Sequence, residues 1–321
     1  MKLPTLMNRR SFLATTTVAA AGLAIPSRAA ETPTTSRPGM KCCLVPGSIG
    51  VRADQDEAIR LAAQHGFDAV EPMTGAVARL DGTQLADLLG RLKEARLVWG
   101  QAGFPLDFRG SDDAFRKSLD ALPDIAAALQ RAGVDRVGTW LSPAHPELTY
   151  VQNFRQHAYR LREGAKVLRD HGQRLGLEYV GTHTLLIRQK YPFIHTLAET
   201  LDLIEEIGTG NVGIVADSWH WWQAGDSAEA LRQLKAARVV SVDLNDAPTG
   251  VDKRAQQDGQ RELPAATGVI PVTDFLGALR AIGFDGPVRA EPFNGALNAL
   301  DNDAACAATI KALRQAMATI G

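Results

Sequence analysis

Short apolar segments alternate with stretches of helical spacing along almost the whole chain, and this alternation limits the possible folds most strongly. Between the apolar segments, residues such as Leu197, Leu201 and Ile204 recur at the period of an amphipathic helix. Parallel strands need a crossover of about a dozen residues, usually a helix, so the alternation predicts a parallel sheet. Eight strands are predicted, and this number favours closure into a (β/α)8, or TIM, barrel over an open sheet. The eight predicted strands are 41–45, 68–71, 97–100, 135–140, 175–180, 211–216, 238–244 and 287–291.

The first 30 residues have the pattern of an export signal. Arg9 and Arg10 precede a mildly apolar run, and Ala29 and Ala30 offer a signal-peptidase site. Paired arginines in this position are typical of a twin-arginine signal. A membrane anchor is disfavoured because the run is shorter than the roughly 20 apolar residues that span a bilayer. We therefore expect a periplasmic protein that consists of a signal peptide, a flexible linker and a single barrel domain, at residues 1–30, 31–39 and 40–321.

Charge and cysteine content exclude several classes of protein. Removal of residues 1–30 takes away four basic residues and no acidic one, which lowers the formal net charge from −1 to −5. Nucleic-acid binding is disfavoured because it depends on Lys and Arg contacts to phosphate. The mature part contains no apolar run long enough to cross a membrane. Three cysteines do not make a disulfide framework in a chain of this size, and we interpret them as packing residues.

Acidic residues end five of the eight predicted strands. Active sites of TIM barrels lie at the C-terminal ends of the strands, and strands five to eight are neighbours, so four of these acids should converge. Carboxylates crowded in an apolar barrel mouth repel one another and lose hydration, which a bound cation offsets. We therefore expect one divalent ion, with Mn or Mg favoured by oxygen ligands and Zn or Co admitted if a histidine joins them. The five acids are Glu71, Glu178, Asp217, Asp243 and Glu291.

Several motifs resemble those of the xylose isomerase-like family of sugar isomerases and epimerases, in the branch of tagatose 3-epimerase, hydroxypyruvate isomerase and inosose dehydratase. The most specific are Asp-x-x-His, formed by Asp217 and His220, and the Gly-Phe-Asp-Gly sequence that precedes Glu291. The resemblance covers nearly all of the mature chain. It implies a TIM barrel that acts on a small carbohydrate with the help of a divalent metal. The matching segments are 67–71, 176–178, 211–220, 243–246, 261–264 and 283–292.

The resemblance also implies roles for individual residues. The family's metal ligands correspond to Glu178, Asp217 and Glu291. The two residues that exchange a substrate proton correspond to Glu178 and Glu291. The residue that orients the substrate falls on His220. A sugar-contacting arginine falls on Arg261, in the long non-periodic segment after the seventh strand.

One position departs from the family. Where the family usually has a histidine ligand on the seventh strand, this chain has Asp243. Aspartate can bind a metal, but it adds negative charge and favours hard ions. The sequence therefore leaves two alternatives: Asp243 is a fourth metal ligand, or the metal site is weakened or lost.

Three other residues are candidates for contact with the substrate. Trp219 precedes His220, and an aromatic ring packs well against the apolar C–H face of a sugar, although packing beneath the loop is the alternative. His183 follows the fifth strand in a polar loop and is either a substrate or metal contact or a solvated histidine. Glu71 completes the set at the end of the second strand.

These residues predict a sugar isomerase or epimerase that works through an enediolate. A metal would stabilise the enediolate after a proton leaves the carbon beside a carbonyl, and two carboxylates would exchange that proton. One alternative stays open: a lyase or dehydratase that acts on keto sugars or 3-keto-glycosides through the same proton abstraction. So does a non-catalytic sugar-binding protein, whereas an endonuclease is disfavoured by the acidic charge. No Gly-rich phosphate loop is present, which favours a free sugar, and a homo-oligomer is compatible with the sequence.

Replacement of Arg9 and Arg10 by lysine should leave the precursor in the cytoplasm, because the export machinery recognises the paired arginines as an address. Fractionation of cells that express the tagged full-length chain measures this. Normal appearance of the mature protein in the periplasm would mean that export uses a different pathway.

Overall fold

The structure, a computed structural model, describes residues 39–321, which lie within one compact unit. The predicted signal peptide and residues 31–38 of the predicted linker lie outside the described residues. Eleven strand segments are found between residues 39 and 321: β1 (Lys41–Leu44), β2 (Ala69–Val70), β3 (Val98–Trp99), β4 (Ala102–Gly103), β5 (Arg136–Leu141), β6 (Ala144–His145), β7 (Arg174–Tyr179), β8 (Tyr191–Pro192), β9 (Val212–Asp217), β10 (Val239–Leu244) and β11 (Pro287–Ala290).

Nine of these segments form one parallel sheet in the order β3-β2-β1-β11-β10-β9-β7-β5-β4. The two segments at its ends are parts of the same stretch of chain, since only Gly100 and Gln101 separate β3 from β4. The sheet therefore closes on itself through this broken strand. The predicted (β/α)8 barrel is confirmed, and each of the eight predicted strands has a counterpart in it.

The break in the third strand places a polar side chain inside the barrel. Ser241 on β10 donates a hydrogen bond to Gln101 at 2.5 Å across the interior. Gly138 on β5 leaves the room for this side chain, because a Cβ atom there would lie 2.1 Å from Gln101 Nε2. Gly100 similarly allows close approach of Cys43, whose Sγ would lie 2.5 Å from an added Cβ.

Helices surround the barrel and connect its strands. Their amphipathic faces pack on the sheet, and side-chain caps begin most of the longer ones; for example, Ser111 accepts a hydrogen bond from Ala114 N at 3.2 Å. None of the helices in residues 39–321 is both long and apolar enough to cross a membrane. The helices are α1 (Gln55–His65), α2 (Thr74–Val77), α3 (Gly82–Glu94), α4 (Asp112–Arg131), α5 (Tyr150–Asp170), α6 (His183–Leu186), α7 (Leu197–Ile207), α8 (Ser218–Ala224), α9 (Ala228–Arg232), α10 (Val272–Ala281), α11 (Gly295–Asn298) and α12 (Asn302–Ala318).

The three cysteines are packing residues, as predicted. Cys42, Cys43 and Cys306 are all free thiols and all buried. Burial is the main reason that the pKa of Cys42 is raised to about 12. These thiols are therefore inert at neutral pH.

The long segment after β10 is folded back over the barrel mouth. Asp246 is completely buried, and its carboxylate accepts hydrogen bonds from the backbone N–H groups of Ala247, Thr267, Gly268 and Ile270 at 2.8–2.9 Å. The backbone of Asp246 also pairs with that of Glu262 in a short antiparallel bridge. These contacts fix the path of the segment.

Candidate active site

Four carboxylates converge at the C-terminal ends of neighbouring strands. Glu178 is near the end of β7, Asp217 ends β9, Asp243 is near the end of β10, and Glu291 directly follows β11. One oxygen of each lies within 4.8 Å of those of the others. Strand register explains the convergence, because Asp217 and Asp243 are direct partners in the parallel pair of β9 and β10.

Asp217 is held by four hydrogen bonds. It caps the N-terminus of α8, where Oδ1 accepts from the backbone N–H groups of Trp219 at 2.6 Å and His220 at 3.0 Å. Its Oδ2 accepts from Asn245 Nδ2 and from Arg261 Nη1, both at 3.1 Å. Both oxygens are therefore fixed in position.

Asn245 connects two of the acidic strand ends. Its amide Nδ2 donates to Asp217 after β9, and its Oδ1 accepts from the backbone N–H of Glu291 at 2.9 Å. The side chain is completely buried. A single amide thus fixes the backbone of one acid relative to the carboxylate of the other.

Arg261 enters the site from the long segment after β10. Its guanidinium lies 3.1 Å from Asp217 Oδ2, 2.9 Å from Asp258 Oδ1 and 3.3 Å from Glu291 Oε2. Only 1% of its side chain is exposed, and its Cζ lies 5.4 Å from the ring centroid of Trp219 and 4.8 Å from that of Phe293. The predicted sugar-contacting arginine is therefore a buried partner of three carboxylates.

Asp243 is paired with an arginine on the neighbouring strand. Arg289 and Asp243 are direct partners in the register of β10 and β11. Arg289 Nε donates to Asp243 Oδ1, and Arg289 Nη2 donates to Asp243 Oδ2 at 2.6 Å, so the pair is bidentate. Asp243 is completely buried, and Arg289 Nη2 also lies 3.4 Å from Glu291 Oε1.

Glu178 stands apart from its neighbours in having almost no hydrogen bonding. Its Oε1 is buried and has no hydrogen-bond partner among the residues that the structure describes. The imidazole Nε2 of His220 lies 3.6 Å from this oxygen, beyond hydrogen-bond distance. A buried carboxylate oxygen without a donor is costly and points to a ligand at this position.

The charges of the site do not balance among its own residues. Four carboxylates face the two guanidinium groups of Arg261 and Arg289. Burial, reinforced by Glu291 and the other acids, raises the pKa of Glu178 well above its usual range. Burial also raises the pKa of Glu291 to about 7. Both carboxyl groups therefore hold their protons more tightly than carboxyl groups in water do.

His220 is a neutral imidazole. Burial lowers its pKa to about 4. Arginine can only donate hydrogen bonds, so His220 Nε2, which lies 3.2 Å from Arg261 Nη2, is the acceptor. The ring proton is then on Nδ1, which faces Thr182 Oγ1 at 3.4 Å.

The remaining predicted residues lie in different surroundings. Trp219 is completely buried and donates from Nε1 to Thr182 Oγ1 at 2.8 Å, which corresponds to packing beneath the loop. Glu71 follows β2 and is mostly buried. Burial raises its pKa; Arg289 lowers this pKa in part, and Asp243 raises it further. His183 begins α6 and is half-buried, outside the cluster of four carboxylates.

Sequence reasoning missed three residues that shape this site. Arg289 could have been found from strand alternation, since it lies two residues before Glu291 and so shares its face. Trp140 is in register with Glu178, is 47% exposed, and stacks with Arg109, whose guanidinium lies 4.3 Å from the ring centroid. Asp258 carries no such signal, because the path of a loop brings it to Arg261.

Comparison with known proteins agrees with this architecture. Residues 59–316 match the family described as the xylose isomerase-like TIM barrel. The chain belongs to this family. It is 23% identical over 260 residues to the inosose isomerase of Bacillus velezensis, which covers 79% of this chain and 89% of the relative. It is 26% identical over 253 residues to the D-psicose 3-epimerase of Enterocloster bolteae, which covers 75% of this chain and 77% of the relative.

A third relative has a different type of activity. The 3-dehydroshikimate dehydratase of Pseudomonas aeruginosa is 22% identical over 261 residues, which cover 78% of this chain and 38% of the relative. All three relatives are enzymes, so the comparison supports an enzyme of the isomerase, epimerase or dehydratase type.

Solved structures share the fold. A xylose isomerase domain protein from Alicyclobacillus acidocaldarius superposes with a TM-score of 0.78 at 31% identity, over 88% of this chain and 99% of that protein. The IolI protein with a bound zinc atom superposes with a TM-score of 0.74 at 19% identity, over 88% of this chain and 99% of that protein.

The imbalance of charge predicts that Glu178→Gln stabilises the metal-free protein at alkaline pH. A raised folded-state pKa means that stability falls as the pH rises from the ordinary carboxyl range through the folded pKa. We expect a gain of about 0.5–2 kcal/mol at pH 8 and a smaller gain at pH 5, measured by urea unfolding in the presence of a chelator. Glu147→Gln, at an exposed loop position, is the control. A variant less stable than the native protein at both pH values would contradict this account.

Proposed function

We propose that this protein is an exported, metal-dependent sugar isomerase or epimerase, which moves a proton at a carbon beside the carbonyl of a small sugar or keto sugar. The observation that carries the proposal is the group of four converging carboxylates in which Glu178 Oε1 has no partner within residues 39–321. Two relatives, an inosose isomerase and a D-psicose 3-epimerase, support a small polyhydroxylated substrate.

The side chains at this site fit a divalent cation. Glu178 offers an oxygen without a donor, and the contacts of Glu291 with the two arginines, at 3.3 and 3.4 Å, are long enough to leave its oxygens available. Asp217 presents a carboxylate whose position is fixed by the start of α8. Oxygen ligands suit Mn or Mg, and the neutral imidazole of His220 beside them also admits Zn or Co. The zinc atom of the IolI structure is consistent with a divalent ion in this fold.

When bound, the ion would act as a Lewis acid for the negative charge that develops on the substrate oxygens. Glu178 and Glu291 then carry out the proton transfer. Burial raises the pKa of both, which favours the division of roles that we propose, in which one of the pair accepts the proton as a base and the other returns it as an acid. This division supplies a general acid and a general base in one site.

Other residues bind and orient the substrate. His220 is held by Thr182 and Arg261, so its ring has one fixed orientation next to Glu178. Trp140 offers an exposed aromatic face at the mouth, in register with Glu178, on which the C–H face of a sugar can pack. Arg261 maintains the positions of Asp217 and Glu291 through its salt bridges to both.

A dehydratase or lyase is the second candidate. Removal of the same proton followed by loss of a β-substituent would need the same carboxylates, and a 3-dehydroshikimate dehydratase is among the relatives. Keto sugars and 3-keto-glycosides are the corresponding substrates. Export by the twin-arginine pathway to the periplasm is part of the proposal and rests on residues 1–30.

Glu178→Gln and Glu291→Gln should each abolish exchange of a substrate C–H proton with D2O. Each change removes a charge and a proton acceptor, and general acid–base catalysis by one group contributes about 10²–10⁴ in rate. Proton NMR of a panel of keto sugars, inososes and 3-keto-glycosides measures both exchange and elimination. His220→Ala should have a milder effect and should raise KM more than it lowers kcat.

The same preparations test for the metal. The native protein should contain about one divalent ion per chain by elemental analysis, and the exposed variant Glu147→Gln should match it in metal content and exchange rate. A protein that contains no metal, and whose melting temperature does not respond to Mn, Mg, Co or Zn, would exclude the metal-dependent mechanism. Sugar binding without exchange or elimination would instead identify a non-catalytic binding protein.

A further inference from the structure

Arg289 is a fixed cation inside the carboxylate cluster. It belongs to β11 and lies two residues before Glu291, so both side chains are on the inner face of the barrel. Its Nε and Nη2 atoms bind both oxygens of Asp243, and Nη2 also approaches Glu291. The planar guanidinium is thereby held in one orientation.

The third nitrogen of this guanidinium is available. Arg289 Nη1 donates to no residue of the described part of the chain, and it is not among the buried atoms that lack a partner there. The side chain of Arg289 keeps 15% of its surface exposed, whereas that of Asp243 keeps none. Two N–H groups of Nη1 are therefore free to meet a molecule that enters the barrel mouth.

Asp243 is poorly placed to hold a cation. Both its oxygens are engaged by Arg289, and an ion bound to either would lie close to a guanidinium in a buried setting where like charges repel strongly. In the other three carboxylates, no guanidinium binds both oxygens. Asp217 and Glu291 each meet Arg261 through one oxygen, and Glu291 meets Arg289 at 3.4 Å through the other. Glu178 Oε1 has no hydrogen-bond partner in the described residues. With Asp243 neutralised by Arg289, the positive charge of Arg261 is shared by Asp217, Asp258 and Glu291. The site therefore keeps an excess of negative charge, which a divalent ion would offset.

We propose that Asp243 positions Arg289 and does not bind the metal, and that Arg289 donates from Nη1 to a neutral substrate oxygen beside Glu291. This inference rests on the proposed function. Because Asp243 already balances its charge, Arg289 offers hydrogen bonds without a net positive charge. The site therefore selects carbonyl and hydroxyl oxygens of neutral sugars over carboxylate or phosphate groups.

The first arm of the test measures binding of Mn²⁺ to metal-free protein by titration calorimetry. The double variant Asp243→Asn/Arg289→Gln removes both charges together, so no buried charge is left unpaired. Glu178→Gln is the reference for the loss of a ligand. We expect the double variant to bind one Mn²⁺ much more tightly than Glu178→Gln does.

Two results of this arm are decisive. A double variant as weak as Glu178→Gln would show that Asp243 is a ligand and would overturn the inference. Native protein that fails to bind Mn²⁺ would overturn the metal-dependent function itself, and this outcome is distinct from the first.

The second arm uses Arg289→Lys, which keeps the charge opposite Asp243 but loses the planar fork and Nη1. Its readout is the steady-state KM and kcat for the neutral sugars that exchange in D2O with the native protein. Loss of one donor to a developing oxyanion costs about 10²–10³ in rate, so kcat/KM should fall by about that factor while Mn²⁺ affinity stays at the native value. Unchanged kcat and KM would overturn the role of Arg289.

Discussion

The structure of this site depends on the burial of four like charges at one end of a closed barrel. Carboxylates removed from water and placed within 4.8 Å of one another are unfavourable unless cations accompany them. The chain supplies two, Arg261 from a loop and Arg289 from a strand, and both approach Glu291. The charge that remains is concentrated at Glu178, the acid whose Oε1 has no donor in the described residues. An unbalanced buried charge of this kind costs stability, and such costs are typical of functional sites.

The architecture of the barrel explains why this arrangement can be maintained. Parallel strands in register bring Asp217 beside Asp243 and Asp243 beside Arg289 without any loop having to position them. Asn245 and the first turn of α8 then fix the carboxylate of Asp217 and the backbone of Glu291. Rigid elements therefore hold most of the cluster, whereas the long segment anchored by Asp246 contributes Arg261. Sites built on rigid elements keep the spacing that proton transfer requires.

Strand-level features were predictable from the sequence, whereas pairings between side chains were not. The acids at strand ends could be located because a barrel places its chemistry there, and their positions follow from strand order alone. The break between β3 and β4 was not expected, because it depends on the space that Gly138 leaves for Gln101. The burial of Arg261 could not be predicted because it depends on the path of a loop. The pairing of Asp243 with Arg289 needs the register of two strands, although alternation along β11 already placed Arg289 on the inner face.

The most direct measurement of the central claim is a crystal structure of the protein with Mn²⁺, with the ion located by its anomalous scattering. The account predicts one peak bound by oxygens of Glu178, Asp217 and Glu291, with Asp243 still paired to Arg289. A peak bound by Asp243 with Arg289 displaced would contradict the proposed division between ligands and anchor. Absence of any peak at a saturating Mn²⁺ concentration would contradict the claim that the buried carboxylates form a metal site.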